Sequence, residues 1–333
     1  MKKNLLPKII ILSFLLLSLF QFTSQTKAAD DTGLRISPPI IEATLQKGET
    51  YQEIIKIENL GSTTETYYPQ VMSFIAKGEE GAQEFLEPEE GNKTYSLAEW
   101  INISKEPITL ASQEKKAISF NIVVPENAEA GGKYGVIFFQ TQISENTDNK
   151  SDIGISSKTG SIILARIAGP TTERGAITEF SIDKNLYQYL PANFVTRFRN
   201  TGDVHLKPVG KIEITNIFGK KVADLIVNEK LGNVLPQSIR RFENTWNRDS
   251  LTIGKYKATI YLSYGENTTY YTSNSLSFWV LPFKEIGLII GGIILSVIML
   301  IILIKSYNRT IVKKALKQEK KEEDKENTKE KTE

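Results

Sequence analysis

Nineteen consecutive residues without a charge, 286–304, limit what this chain can become. As a helix, that run is long enough to cross the hydrocarbon of a bilayer. The competing expectation, a buried core helix, calls for a polar face that the run lacks. Lys305, Arg309, Lys313, Lys314 and Lys317 follow it, and basic residues gathered on one flank mark the cytoplasmic side. At the other end, residues 1–29 have a basic start (Lys2, Lys3, Lys8), an apolar stretch over 9–20 and small residues at Ala28 and Ala29. That is the pattern of a secretory signal peptide, with Lys27 a poor fit beside the cut. The two ends together predict a single-pass protein of the plasma membrane. They comprise a signal peptide over 1–29, a transmembrane helix over 284–305, and a charged cytoplasmic tail over 306–333, of which 317–333 is disordered or a fraying helix. The region between lies outside the cell.

About 250 residues remain between the ends, room for two ordinary domains. The chain has no cysteine, so an exported region must stand without disulfides, and thiolate metal sites and cysteine nucleophiles are excluded. His205 is the only histidine, so zinc sites built from several histidines are excluded and any Ser-His-Asp triad would have to use it. It follows an Asn200-Thr201-Gly202 turn and reads as a solvent-facing turn residue. The formal charge of +2 hides a split. Residues 30–168 carry 12 Lys/Arg against 21 Asp/Glu, and residues 171–283 carry 14 against 10. The basic excess is too dilute for a groove that tracks phosphates, so nucleic acid is not an expected partner. No nucleophile elbow, His-Glu-x-x-His, phosphate-cradling loop or paired-cysteine knuckle occurs. The expectation is a protein that is not an enzyme and holds no cofactor or metal.

Short runs rich in Ile, Val, Phe, Tyr and Thr, broken by Gly, Pro and Asn, predict strands. They fall at 51–58, 66–75, 118–124, 134–142 and 161–167, then at 176–182, 193–199, 211–215, 221–227, 239–245, 255–264 and 276–280. This density predicts an all-β chain of two tandem immunoglobulin-like β-sandwich domains, over 33–168 and 171–281. Gly169-Pro170 forms a short hinge between them, and 145–158 is a polar hairpin loop. The halves read as one plan used twice. Each has a strand ending in Asn-x-Gly (Asn59-Leu60-Gly61 and Asn200-Thr201-Gly202), expected to supply positive φ to a tight connection. Each later has Gly-Lys-Tyr entering a strand (Gly132-Lys133-Tyr134 and Gly254-Lys255-Tyr256), expected to form equivalent tyrosine corners.

The first half is about nineteen residues longer between these marks, and the surplus falls in an acidic insertion over 77–99. Its composition predicts an exposed segment: a solvated loop, or a calcium or partner contact. The candidate binding residues are Glu79, Glu80, Glu84, Glu87, Glu89 and Glu90 from this insertion, together with Trp100. Trp100 is either a core anchor at a strand start or a platform on which a sugar ring stacks. Edge strands are the other candidate contact elements.

Leu34-Arg35-Ile36-Ser37-Pro38-Pro39 followed by Lys47-Gly48-Glu49 resembles the opening of the WxL-interacting cell-surface proteins of Gram-positive bacteria. So do Trp100-Ile101 with Ile108-Thr109-Leu110, and the segment 118–125 leading to Gly131-Gly132-Lys133-Tyr134-Gly135. The resemblance implies two immunoglobulin-like domains on a membrane anchor, the first associated with peptidoglycan and the second with WxL-type partner surface proteins. It transfers no binding residue. The expected function is therefore binding of cell wall, of partner surface proteins, or of both. The alternatives are a structural or regulatory subunit of a membrane complex and an enzyme acting on wall glycan.

Overall fold

The computed structural model describes residues 33–87, 94–141, 158–248, 252–266 and 269–330. The expected signal peptide, the 145–157 part of the expected hairpin loop, and Glu89 and Glu90 lie outside the described residues. The chain forms two compact units. One takes the described residues up to Lys77 together with Gln83–Thr172; the other takes Gly78–Ala82 together with the chain from Glu173 onward.

In the first unit, burial alternates along strands such as Thr50–Asn59 and Lys115–Val123, while the strand Gly131–Thr141 is buried on both faces over 131–139; each sheet commits one face to a shared core. Strands β1 (Leu34–Ser37), β3 (Thr50–Asn59), β8 (Lys115–Val123) and β6 (Ile101–Ile103) form one sheet in the order β1-β3-β8-β6. The other runs β2 (Ile40–Leu45), β10 (Lys158–Ile167), β9 (Gly131–Thr141), β4 (Glu65–Lys77), β5 (Ala82–Leu86), with β7 (Ile108–Leu110) also on β4. Ile55, Ile57, Phe120 and Ile122 from the first sheet meet Ile137, Phe139, Ile163 and Ala165 from the second.

The second unit repeats the sandwich with fewer strands. One sheet is β11 (Gly175–Ile182), β13 (Ala192–Asn200) and β16 (Ile239–Trp246). The other is β12 (Leu186–Tyr187), β18 (Tyr270–Val280), β17 (Gly254–Tyr264), β14 (Val209–Asn216) and β15 (Lys221–Val227), in that order. Its core is aromatic: Trp246 lies 5.2 Å from Tyr256 and 5.8 Å from Phe278, and Phe194 lies 5.7 Å from Phe278. Helix α1, Phe283–Glu330, begins two residues after β18. It runs unbroken through the segment expected to be disordered or a fraying helix.

The two Asn-x-Gly turns are the same device. Asn59 and Asn200 are buried at the ends of β3 and β13. Asn59 Nδ2 donates to the carbonyls of Thr63, Leu110 and Ala111 at 2.8, 3.2 and 3.1 Å, and its Oδ1 accepts from Gly61 N–H at 2.9 Å. Asn200 Nδ2 donates to Val204 and Val234 carbonyls at 2.7 and 2.9 Å, and its Oδ1 accepts from Gly202 N–H at 2.9 Å. Each asparagine thus staples its own turn to a second, distant loop. The positive φ expected at Gly61 and Gly202 belongs instead to Gln113 (60°) and Gln237 (57°) in those partner loops. Gln113 Nε2 donates to Leu60 O at 2.8 Å, and Gln237 Nε2 to Gly202 O at 3.0 Å.

The Gly-Lys-Tyr likeness, by contrast, does not carry into three dimensions. Tyr256 points into the inter-sheet core and donates to Ile253 O at 3.2 Å. Tyr134 is equally buried but stands on the opposite face of its sheet, since Ile137 and Phe139 of the same strand take the core side. A one-residue difference in strand parity exchanges the faces.

Replacing Asn59 or Asn200 with Ala leaves buried carbonyls without their donor, and should cost about 2–3 kcal/mol in urea unfolding of the detergent-solubilised full chain. Asn→Asp at either site should cost at least as much, because a carboxylate keeps the acceptor and loses both donors.

Candidate binding surfaces

The outer face of the β4–β9–β10 sheet carries a second apolar layer. Met72, Phe74, Tyr134 and Phe138 point away from the sandwich core and are nevertheless buried. Phe85 on β5 covers them, 4.8 Å from Phe138 and 6.2 Å from Phe74. Tyr95 lies 6.3 Å from Tyr134, and Tyr134 exchanges backbone hydrogen bonds with Tyr95 and Leu97. Ser96, Leu97 and Ala98 are buried. This corrects the expected exposed insertion: its described parts form a β-hairpin strand and a cover for an apolar sheet face. Phe85 covers Phe74 and Phe138 on the outer face, while Leu97 packs into the inter-sheet core.

Its carboxylates do not converge. Glu79 pairs with Arg197 at 2.5 Å, which also holds Glu179, and Glu80 pairs with Arg241 at 3.2 Å, all within the second unit. Glu84 is 3.8 Å from Lys77, and Glu87 accepts from Gln70 at 3.2 Å. Among the described residues no group of three acidic or histidine side chains could hold a metal ion.

Trp100 closes a short 3-10 turn, Ala98–Trp100, and packs against the first core while remaining partly exposed. The ammonium of Lys133 lies 5.3 Å from its ring centroid. Lys133 is itself buried and donates to Thr94 O at 2.5 Å. Burial pulls its pKa below the usual lysine value, opposed by the negative charge of Glu129. One face of the indole is thereby occupied by the protein's own cation.

A surface outside the expected set is lined mostly by positive charge. On the outward face of β1–β3–β8, a cleft of about 380 Å³ is bordered by Arg35, Lys56, Lys115 and Lys116, with Ser37 and Glu58. Strand register places three of the four together: Ser37 sits opposite Lys56 and Lys56 opposite Ala117, while Arg35 sits opposite Glu58 and Glu58 opposite Lys115; Lys116 sits opposite the core residue Ile57 and joins the lining from the other strand parity. Glu58 bridges Arg35 at 3.1 Å and Lys115 at 3.2 Å, and Lys56 and Lys116 are exposed. Four cations around one carboxylate suit an anionic ligand. Arg35, Lys56 and the Lys115-Lys116 pair are far apart in sequence and belong to the acidic half, so composition hid them.

The sheet edges are less open than a strand count implies. β11 carries a bulge between Ile177 and Glu179, a feature that discourages pairing with another chain. β15 is bonded on its far side by Asn244 Nδ2, which donates to Ile226 O at 2.7 Å. Beyond the sandwiches, α1 contains a segment, Phe283–Lys317, whose most apolar stretch has a mean hydropathy of 3.1 and is not buried, long and apolar enough to cross a membrane.

These features define an all-β protein of two immunoglobulin-like sandwiches followed by one long apolar helix. No family model matches the chain, and no curated protein matches it. Among solved structures it is similar to the class 5 fimbriae chaperone CfaA, at 11% identity and a TM-score of 0.37, over 75% of this chain and 100% of that one. It is also similar to the E. coli chaperone DraB, at 11% identity and a TM-score of 0.34, over 75% and 98%. A third is the CsuC–CsuE chaperone–tip adhesion subunit pre-assembly complex from Acinetobacter baumannii, at 12% and 0.33, over 63% and 90%. Likeness at this level does not bear on what the chain binds.

Truncation of Trp100 to Ala should destabilise the first unit by on the order of 3 kcal/mol in denaturant unfolding, with Trp100→Phe recovering most of it. If Ala at this position leaves stability unchanged while weakening glycan binding, Trp100 is a stacking platform and not an anchor.

Proposed function

We propose that this chain is a single-pass bacterial surface protein of the WxL-interacting type, acting by binding and not by turnover. The helix crosses the plasma membrane with its basic end in the cytoplasm, and the two sandwiches present surfaces to the cell wall or to partner surface proteins. The observation that carries the reading is α1: an apolar run with no protein around it, fused two residues after a sandwich and followed by five basic residues in thirteen, 305–317.

The first sandwich contacts peptidoglycan through the cationic cleft. The stem peptides of peptidoglycan carry free carboxylates, and Lys56 and Lys116 are exposed to receive them. The contact is electrostatic and weakens with salt. Partner surface proteins engage elsewhere, on the second sandwich.

Sedimentation of the solubilised full chain with purified cell-wall sacculi tests this. Lys56→Glu with Lys116→Glu should lower binding about tenfold, as the sum of two screened contacts of roughly 0.7 kcal/mol each, with an unchanged melting temperature. Sacculus binding that ignores both the substitutions and added salt removes the cleft from the proposal. Capture of neither sacculi nor surface proteins removes the binding function itself. Separately, protease added outside cells whose wall has been removed should digest both sandwiches and leave the tail intact.

A further inference from the structure

The hairpin that joins β14 to β15 is apolar at its tip without any folding reason. Asn216 pins the turn: its N–H donates to Lys220 O at 3.0 Å, its O accepts from Gly219 N–H at 2.9 Å, and its Oδ1 accepts from the N–H groups of Phe218 and Lys220, each at 3.0 Å. Gly219, with φ +74°, supplies the left-handed residue. The turn is thus built from Asn216, Gly219 and backbone. Ile217 and Phe218 contribute nothing to it and stand 64% and 85% exposed. The hairpin at the opposite end of the same sheet, between Tyr264 and Tyr270, is polar in sequence.

Register places the apolar tip at the end of the sheet where α1 begins. Asn216 lies opposite Tyr256, and Tyr256 opposite Phe278, two residues before β18 ends at Val280. β14 is separated from β18 by β17 alone, so the tip lies about 10–15 Å to the side of β18. Five residues separate Val280 from Ile286, where the uncharged run starts. That is at most roughly 15 Å of chain, since the last part is helical. The headgroup layer is itself about 5–8 Å deep. The same end carries exposed Leu186, Ile253 and Trp279, and Tyr189, whose hydroxyl donates to Glu285 in the first turn of α1 at 2.9 Å. Aromatic residues with one wet end are the usual occupants of a bilayer interface. Lys220, Lys255 and Lys284 add exposed positive charge.

We propose that the β14–β15 tip, Ile217 and Phe218 with Lys220 beside them, is a second membrane contact that seats the second sandwich on anionic phospholipid headgroups next to the helix. The inference rests on α1 crossing the membrane.

The absence of cysteine allows single labels. The full chain carrying Ile217→Cys, or Ser273→Cys on β18 as the control, is labelled with an environment-sensitive fluorophore. It is then reconstituted in phosphatidylcholine–phosphatidylglycerol vesicles doped with headgroup-region spin-labelled lipid. The label at 217 should be quenched at least twofold more than that at 273, and Phe218→Asp should abolish the difference without shifting the melting temperature. Equal quenching at the two positions overturns the inference. So does a label at 217 that is shielded from water yet unquenched, the result of a second protein copy covering the tip. Failure of the chain to float with vesicles fails the anchor reading instead, and the two failures are thereby distinct.

Discussion

Each sandwich is locked by one buried amide. A strand end in an immunoglobulin-like fold leaves carbonyls that no ladder satisfies, and burying them unpaired costs about 1–3 kcal/mol apiece. Asn59 and Asn200 meet this demand at equivalent places, each joining the turn after its own strand to the loop that opens β8 or β16. The contact spans 51 residues in the first unit and 34 in the second, so it ties the fold together across long loops. In a chain without cysteine it stands where a cross-link would do the same task in many exported sandwiches. The glutamines at positive φ complete the device, because their side-chain amides cover turn carbonyls that the asparagine does not reach, Leu60 in the first unit and both Thr201 and Gly202 in the second.

With the sheets so locked, the first unit has a freedom the second lacks. It can leave a sheet face apolar on the outside, provided something covers it. Tyr134, Phe74, Phe138 and Met72 are that face, and the segment from β5 to Trp100 is the cover. The close approach of Tyr134 to Gly132, where a Cβ would sit 2.0 Å from the hydroxyl, shows how tightly the layer is packed. An insertion that resembles a charged loop is therefore part of a core. Its described carboxylates are dispersed onto separate partners: Glu79, Glu80 and Glu84 onto Arg197, Arg241 and Lys77, and Glu87 onto the amide of Gln70.

Much of this architecture was legible from alternation alone. The strand expected over 221–227 coincides with β15, and most long strands differ by one to three residues at an end. The short ones escaped notice. β5 (Ala-Gln-Glu-Phe-Leu) and β6 (Ile-Asn-Ile) are too brief to show a period, and β5 lies among glutamates that read as solvent-exposed. The Asn-x-Gly turns were visible, but the reason assigned to them was wrong, since side-chain donors to loops 34–51 residues away cannot be read from three residues. The Gly-Lys-Tyr pair misled because strand parity is a property of pairing, and pairing is absent from a local motif. The cationic cleft was illegible for the same cause: Arg35, Lys56 and Lys115 become neighbours only once β1, β3 and β8 are in register.

The joint between the second sandwich and α1 has a mechanical consequence. Leu281 N–H donates to Tyr187 O at 2.7 Å, and Tyr189 reaches Glu285, so both residues between strand and helix are flanked by hydrogen bonds to the sandwich. Pro282 at the start of the helix removes a donor that would otherwise go unmet there. A flexible tether would let the sandwich tumble above the membrane; a joint this short and this bonded passes the tilt of the helix to the sheet. On the proposed membrane crossing, exposed apolar side chains on that end of the sheet are held at nearly constant depth. Side chains such as Ile217 and Phe218 cost solubility wherever a domain rotates freely in water, and are tolerated where the geometry keeps them close to lipid.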